Sequence, residues 1–331
     1  MSGAVSLDSI AQIFPFVGGG SQNPPFQGQS ADGVSSTLTT DRTEGVVAKS
    51  EYQNGLLEGE TRATTLRGEA FIAPQLCDVM DTIFSPSRWT PPVDITWVLG
   101  LLHLAALVFQ LPVWMFVVST IFWRLAYDVG IGYILRHQSR SFWFQNRFND
   151  LIRQAKYATM FESWFSRTRG CEHKLKDYPL EFNAWMAYRY IVDIVLVIDF
   201  WSYFCLVMRS LQWFPLSDLT WTSVAQILGS FIFGMCSLWA KMDAHRILGD
   251  FGWYWGDFFF KVDKEMVFDG VFQMFPHPMY TAGYGFMYAA PIFAMNFMIY
   301  YVTLFSHGCQ ILFLIFVEEP REFLCELFCC G

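Results

Sequence analysis

Charge is scarce in this sequence: Asp, Glu, Lys and Arg make up 16% of the 331 residues, against 53% hydrophobic and 18% aromatic residues. That balance excludes an ordinary soluble domain. A net charge of -8, with no basic cluster interleaved with aromatics, also excludes a nucleic-acid partner. The eight cysteines include no CxxC pair at zinc spacing, so neither a metal centre nor a disulfide framework is expected. A Gly-rich phosphate loop, a GxSxG elbow and an internal repeat are likewise missing, which removes P-loop and serine-hydrolase chemistry. No basic start followed by an apolar run opens the chain, so no cleavable signal peptide is expected.

What the sequence has in quantity is long apolar runs, at 94–111, 113–135, 185–208, 221–240, 281–294 and 297–317. Most can cross a hydrocarbon core of about 30 Å, which takes roughly 20 helical residues. The predicted fold is therefore an all-α polytopic transmembrane bundle of about six spans that ends in a helical hairpin. Residues 1–75, polar and rich in Gly, Ser, Thr and Gln, are expected to be a disordered cytosolic tail. A membrane unit at 76–320 follows, with an interfacial or cytosolic loop at 136–184 whose aromatics and basic residues suit an amphipathic surface helix. Residues 321–331 form a short C-terminal tail.

Of the 22 lysines and arginines, all but Arg124, Arg189 and Arg209 fall in alternate segments of this six-span reading. Positive charge marks the cytosolic face, so both termini are expected there. Arg124 and Asp128 stand four apart in the second run and are expected to pair, because an unpaired charge in lipid costs about 3 kcal/mol or more. Arg189, Asp193 and Asp199 in the third run are expected to lock helices together.

Chemistry concentrates after the fourth run. Asp-Ala-His-Arg at 243–246 and Asp250 lead into Phe-Gly-Trp-Tyr-Trp-Gly-Asp-Phe-Phe-Phe at 251–260. Trp253, Tyr254 and Trp255 read equally as an interfacial aromatic belt, but Gly252 and Gly256, four apart on a helix, would clear one face for a flat ligand. Pro-His-Pro-Met-Tyr follows at 276–280, and Glu318 and Glu319 close the last run. The 37 residues at 281–317 are too many for one span, and 291–296 offers a turn, so two antiparallel helices return Glu318 and Glu319 to the side of His277 and Tyr280. The first arm, 14 residues, reaches only about 21 Å, which sets this cluster below the headgroup plane. Two carboxylates at a helix C-terminus oppose the helix dipole, a local misfit that points to function.

These segments, densest in Trp-Ala-Lys-Met-Asp-Ala-His-Arg at 239–246, the 253–260 run, Phe-Asp-Gly-Val-Phe at 268–272 and Pro-His-Pro-Met-Tyr, resemble the first of two tandem membrane units in the large fungal-type phosphatidylethanolamine N-methyltransferase family. The likeness extends loosely to Phe-Trp-Arg-Leu-Ala-Tyr-Asp-Val-Gly-Ile-Gly at 122–132. It implies an endoplasmic-reticulum membrane enzyme that uses S-adenosyl-L-methionine to add the first methyl group to phosphatidylethanolamine in phosphatidylcholine synthesis. Such a unit would act as a homo-oligomer or paired with a second methyltransferase unit. By the same likeness Gly252, Gly256, Asp257, His277, Pro278, Tyr280, Glu318 and Glu319 would bind the cofactor, with Glu319, His277 and Tyr280 nearest the reaction. Methyl transfer needs a neutral amine in line with the methyl group, a carboxylate to take the ammonium proton, and a dry site. Three other readings stay open: an isoprenylcysteine carboxyl methyltransferase, a sterol reductase, and a non-catalytic lipid-binding or partner subunit.

Overall fold

The computed structural model describes residues 61–74, 79–211, 220–262, 269–275 and 277–320. Five of its helices are long and apolar enough to cross a membrane. They are α1 (Pro91–Val108), α2 (Val113–Ser141), α5 (Leu180–Ser210), α6 (Trp221–Trp253) and α8 (Phe297–Glu318). The all-α, multi-pass expectation holds. Between α2 and α5 lie α3 (Trp143–Ile152) and α4 (Ala155–Arg169), and α7 (Gly285–Ala294) precedes α8.

The helix ends follow ordinary rules. Pro91 and Pro92 open α1 where a missing N–H is harmless, the Thr220 side chain accepts from the Ser223 N–H at the start of α6, and Asn296 accepts from the Met298 and Ile299 N–H groups at the start of α8. Polar groups turn inward and apolar ones outward, as the bilayer requires. Leu101, Leu102, Phe122, Phe231 and Ile232 are exposed, whereas Thr120, Arg124, Asp199, Ser237, Thr303 and Gln310 are buried.

The fifth run, 281–294, forms only a short helix, which runs antiparallel along α6 from Ser237 to Gln226. This helix, α7, has 10 residues and rises only about 15 Å. Pro291 within it lacks the N–H that would bond to Met287, and the freed Met287 carbonyl instead accepts from Tyr203 Oη of α5 at 2.8 Å. Tight contact with α6 fixes α7 further. A Cβ on Gly285 would lie 2.4 Å from Ser237 Oγ, and one on Gly234 would touch the Ala289 methyl at 3.1 Å.

Central α5 carries two locks. Arg124 of α2 meets Asp199 at 2.6 Å and Gln310 Oε1 of α8 at 2.9 Å. Arg189 meets Asp250 of α6 at 3.2 Å and lies over the Tyr254 ring, whose hydroxyl donates to Asp193 at 2.7 Å. The expected Arg124–Asp128 pair is thus replaced by a pair between helices. Ala126–Ile131 forms a π-helical segment inside α2, and its wider turn breaks the stacking of residues four apart.

Two other expectations need correction. The tail does not run unstructured to residue 75, because Thr61–Thr65 (β1) and Ala70–Ala73 (β2) form a hairpin, and β1 also pairs antiparallel with Phe260–Val262 (β3) in register Ala63↔Val262. Residues 1–60 lie outside the described residues, as do 321–331. Segment 136–184 is helical, yet Phe148, Phe161 and Phe165 face the protein core rather than a bilayer surface, packing toward Tyr190. The sheet sits on the start of α5, where Phe71 meets Phe182 and Phe260 edge to face, as Trp185 meets Phe260, and the Phe182 and Phe260 rings are tilted to each other.

Candidate functional site

Beneath the sheet, α6 ends in a sequence of forced turns. Gly249 adopts φ 64° and ψ -178°, a conformation closed to residues with a side chain, and one more helical turn runs to Trp253. Trp255 takes a left-handed φ of 49°, and Gly256–Phe258 forms a 3₁₀ turn. Gly252 and Gly256 are therefore not stacked on one helix face, contrary to expectation. A Cβ on Gly256 would lie 2.3 Å from the Phe251 ring, so packing against that ring already accounts for this glycine. Asp257 is half-buried in the same turn.

The second strand of the site is the turn at 277–284. His277 has φ 48°, and its carbonyl accepts from the N–H groups of Tyr280 at 3.0 Å and Thr281 at 3.2 Å. The Pro278 carbonyl accepts from Gly283 N–H at 2.8 Å, which closes the turn against α6. His307 of α8 meets the Tyr280 carbonyl at 3.0 Å.

Helix α8 brings in the third part. Its last turn, Leu314–Glu318, is also π-helical, and it packs against α2 just past the π segment of that helix: a Cβ on Gly132 would lie 3.1 Å from Val317. Glu318 Oε1 accepts hydrogen bonds from both Trp255 Nε1 and Tyr280 Oη. Burial, reinforced by the Glu318 carboxylate, holds the Tyr280 phenol well above its ordinary range, so it stays a donor at neutral pH. Tyr127 and Phe313 stack at 6.0 Å, and Trp255 lies 5.3 Å from Phe313 and 6.1 Å from Tyr127.

The structure thus joins Glu318 to Tyr280, and through the backbone of that turn to His277 and Pro278, across nearly forty residues of sequence. It leaves Glu319 exposed and Gly252 facing Leu248 of its own helix. Sequence reasoning missed Tyr127, Tyr188 and the specific part of Trp255. The aromatic-charged run at 122–132 was the available signal for Tyr127. Tyr188 sits in an apolar helix with nothing to distinguish it. Its hydroxyl is buried without a hydrogen-bond partner among the described residues, within electrostatic reach of Asp257 and Glu318.

Fold and site together define a multi-pass helical membrane protein whose carboxylates and aromatic faces converge where three helices end. Residues 224–328 match the family model described as phospholipid methyltransferase, and this part of the chain is a domain of that family. The chain is 34% identical over 276 residues to a phosphatidylethanolamine N-methyltransferase of Candida tropicalis, covering 78% of this chain and 32% of that protein. It is also 34% identical over 279 residues to proteins of the same name from Neosartorya fischeri and Aspergillus fumigatus, covering 79% of this chain and 28% and 30% of theirs. It spans about a third of the length of these relatives. No solved structure matches it.

Proposed function

We propose that the chain transfers a methyl group from S-adenosyl-L-methionine to the amine of phosphatidylethanolamine, giving phosphatidyl-N-methylethanolamine on the way to phosphatidylcholine. The observation that carries this reading is 34% identity across 78% of the chain to a protein named for that activity, together with the match of residues 224–328 to the phospholipid methyltransferase model. When bound, S-adenosylmethionine supplies an electrophilic methyl group on a sulfonium, a cation suited to aromatic faces and carboxylates. The residues present fit it. The unpartnered Tyr188 hydroxyl lies within electrostatic reach of Glu318 and Asp257, which offers a ligand a donor beside two acceptors.

In this reading Glu318 and Glu319, with His277, Pro278, Tyr280 and Asp257, hold the cofactor, while Gly252 and Gly256, packed against Leu248 and Phe251, let the turn that carries Asp257 form. Glu319, His277 and Tyr280 stand nearest the reacting atoms, and the Trp255 and Tyr280 donors fix the Glu318 carboxylate in place. Because the chain spans about a third of its relatives, pairing with a second methyltransferase unit or a second copy belongs to the same proposal. So does residence in the endoplasmic-reticulum membrane with both termini cytosolic, which the alternate-segment placement of Lys and Arg supports. A glycosylation acceptor modified within 136–184 would reverse that topology.

The test is direct. Microsomes from a methyltransferase-null host expressing the chain, alone or with a second unit, receive labelled S-adenosylmethionine. Label in monomethyl-phosphatidylethanolamine is the expected result. Label only in methyl esters of prenylated protein, or none in lipid under either condition, would overturn the proposal.

A further inference from the structure

One buried carboxyl group is used by neither lock nor cofactor face. Asp128 is 6% exposed, and neither of its carboxylate oxygens has a hydrogen-bond partner among the described residues. An isolated carboxylate at that depth is costly, and buried polar groups in native proteins are nearly always partnered. The nearby Arg124 attracts it but gives it no hydrogen bond, because the two terminal guanidinium nitrogens are held by Gln310 and Asp199. Around it, within electrostatic reach, lie Arg124, Asp199, Tyr127, Tyr284 and Cys309.

Its position is also unusual. Asp128 rides on the π-helical segment of α2, an irregularity frequent at functional sites. The next residue in the chain, Val129, is 62% exposed on the apolar outside, and a Cβ on Gly130 would meet nothing within 4 Å. The preceding residue, Tyr127, joins Trp255 and Phe313 in the aromatic group beside Glu318. The carboxylate therefore sits between an open, lipid-facing turn and the cluster that holds Glu318.

We propose that Asp128 is the binding group for the primary ammonium of an aminophospholipid headgroup and the acceptor of its proton. This rests on the reading of the chain as an aminolipid methyltransferase. The lipid enters past Val129 and Gly130, and its ammonium forms a charge-assisted hydrogen bond to Asp128 with the Tyr127 face alongside. One N–H bond then breaks: the proton passes to a carboxylate oxygen of Asp128, and the electron pair stays on nitrogen as the lone pair that methylation requires. The ammonium becomes a neutral amine and the carboxylate a carboxylic acid, so charge and atoms balance.

The Asp128→Asn variant decides between this and a merely structural, permanently protonated acid. Asparagine keeps the volume and hydrogen-bonding capacity of a neutral acid but cannot bind a cation as a carboxylate does. Purified protein is mixed with short-chain phosphatidylethanolamine or phosphatidylglycerol, and thermal unfolding and methyl transfer are followed. We expect the wild type to be stabilised more by the amine lipid than by the glycerol lipid, and D128N to lose that difference. D128N should also show a roughly ten- to hundredfold lower kcat/KM for the amine lipid while S-adenosylhomocysteine binding stays intact. If D128N retains both the amine-lipid preference and turnover within about twofold, the proposal is wrong. The lipid preference is read without turnover, so it stands or falls separately from the proposed reaction. Should D128N not fold, wild-type Asp128 is modified with dicyclohexylcarbodiimide. Slower labelling with phosphatidylethanolamine than with phosphatidylglycerol supports the proposal, and equal rates overturn it.

Discussion

The two locks of α5 and the two π-turn carboxylates differ in one respect that separates structure from chemistry. Asp199 and Asp250 each meet an arginine on a neighbouring helix, and Arg124 is further held by Gln310. Glu318 Oε1 accepts from two uncharged donors, Trp255 and Tyr280, and Asp128 has no hydrogen-bond partner among the described residues. A cation already paired inside the protein has its charge largely offset before any ligand arrives. A carboxyl group oriented by neutral donors is held in place without being neutralised by them.

Removing one partner of a lock should have the largest effect. Asp199→Ala leaves Arg124 buried and uncompensated, which costs about 3–5 kcal/mol and should abolish the folded peak in detergent size-exclusion chromatography. Combining it with Arg124→Met should recover much of the loss, and a double variant as unstable as the single would deny that the pair is a lock. Glu318→Gln should do the opposite: the fold survives in the same chromatogram, and cofactor affinity falls roughly ten- to a hundredfold by equilibrium dialysis. Glu319→Gln, at an exposed position, should fall less. Equal losses in the two variants would erase the distinction drawn for Glu318.

Between these extremes lies the hairpin. Phe71→Ala strips a ring packed against Phe182 and Phe260 and should lower the unfolding temperature by the equivalent of about 1–3 kcal/mol, while deletion of residues 2–56 should leave it nearly unchanged. A deletion as harmful as the substitution would show that residues before β1 carry packing of their own. The smallest effect concerns His173, which is buried between Arg169, Asn183 and Tyr178, with burial the main cause of its lowered pKa. Its folded pKa lies below the unfolded value of about 6.5, so stability is complete above that pH and declines as pH falls below it toward the folded pKa. His173→Gln should flatten that acid limb in a thermal-shift pH series, and an unchanged slope would exclude His173 as its source.

Much of the bundle was legible because a span advertises itself by apolar length alone. The meeting of Glu318 with Tyr280 was legible for a related reason: the interval of 37 residues allows a helix out and a helix back, whatever their packing. Features that depend on a distant partner were not. Thr-Arg-Ala-Thr-Thr at 61–65 is too short and polar to signal a strand, and its partner Phe260–Val262 lies about two hundred residues away. The π segments left no mark on composition, so the spacing of Arg124 and Asp128 was read with α-helical periodicity and paired wrongly. Gly256 shows the converse, a residue singled out for a ligand whose missing side chain is explained by the Phe251 ring.

The Arg124–Asp199 lock also sets a schedule for biogenesis. Its two residues are 75 apart in sequence, so at about 5–20 residues per second α2 leaves the ribosome roughly 4–15 s before its counter-charge exists. During that interval Arg124 sits in a segment that must partition from the translocon into lipid at a penalty of about 2.5–3.5 kcal/mol. Helix α2 is therefore expected to linger at the translocon until α5 arrives, and the two leave it as a pair. Ribosome-bound chains arrested before and after residue 199, probed by crosslinking from α2 to the channel, would show that release as a single late step.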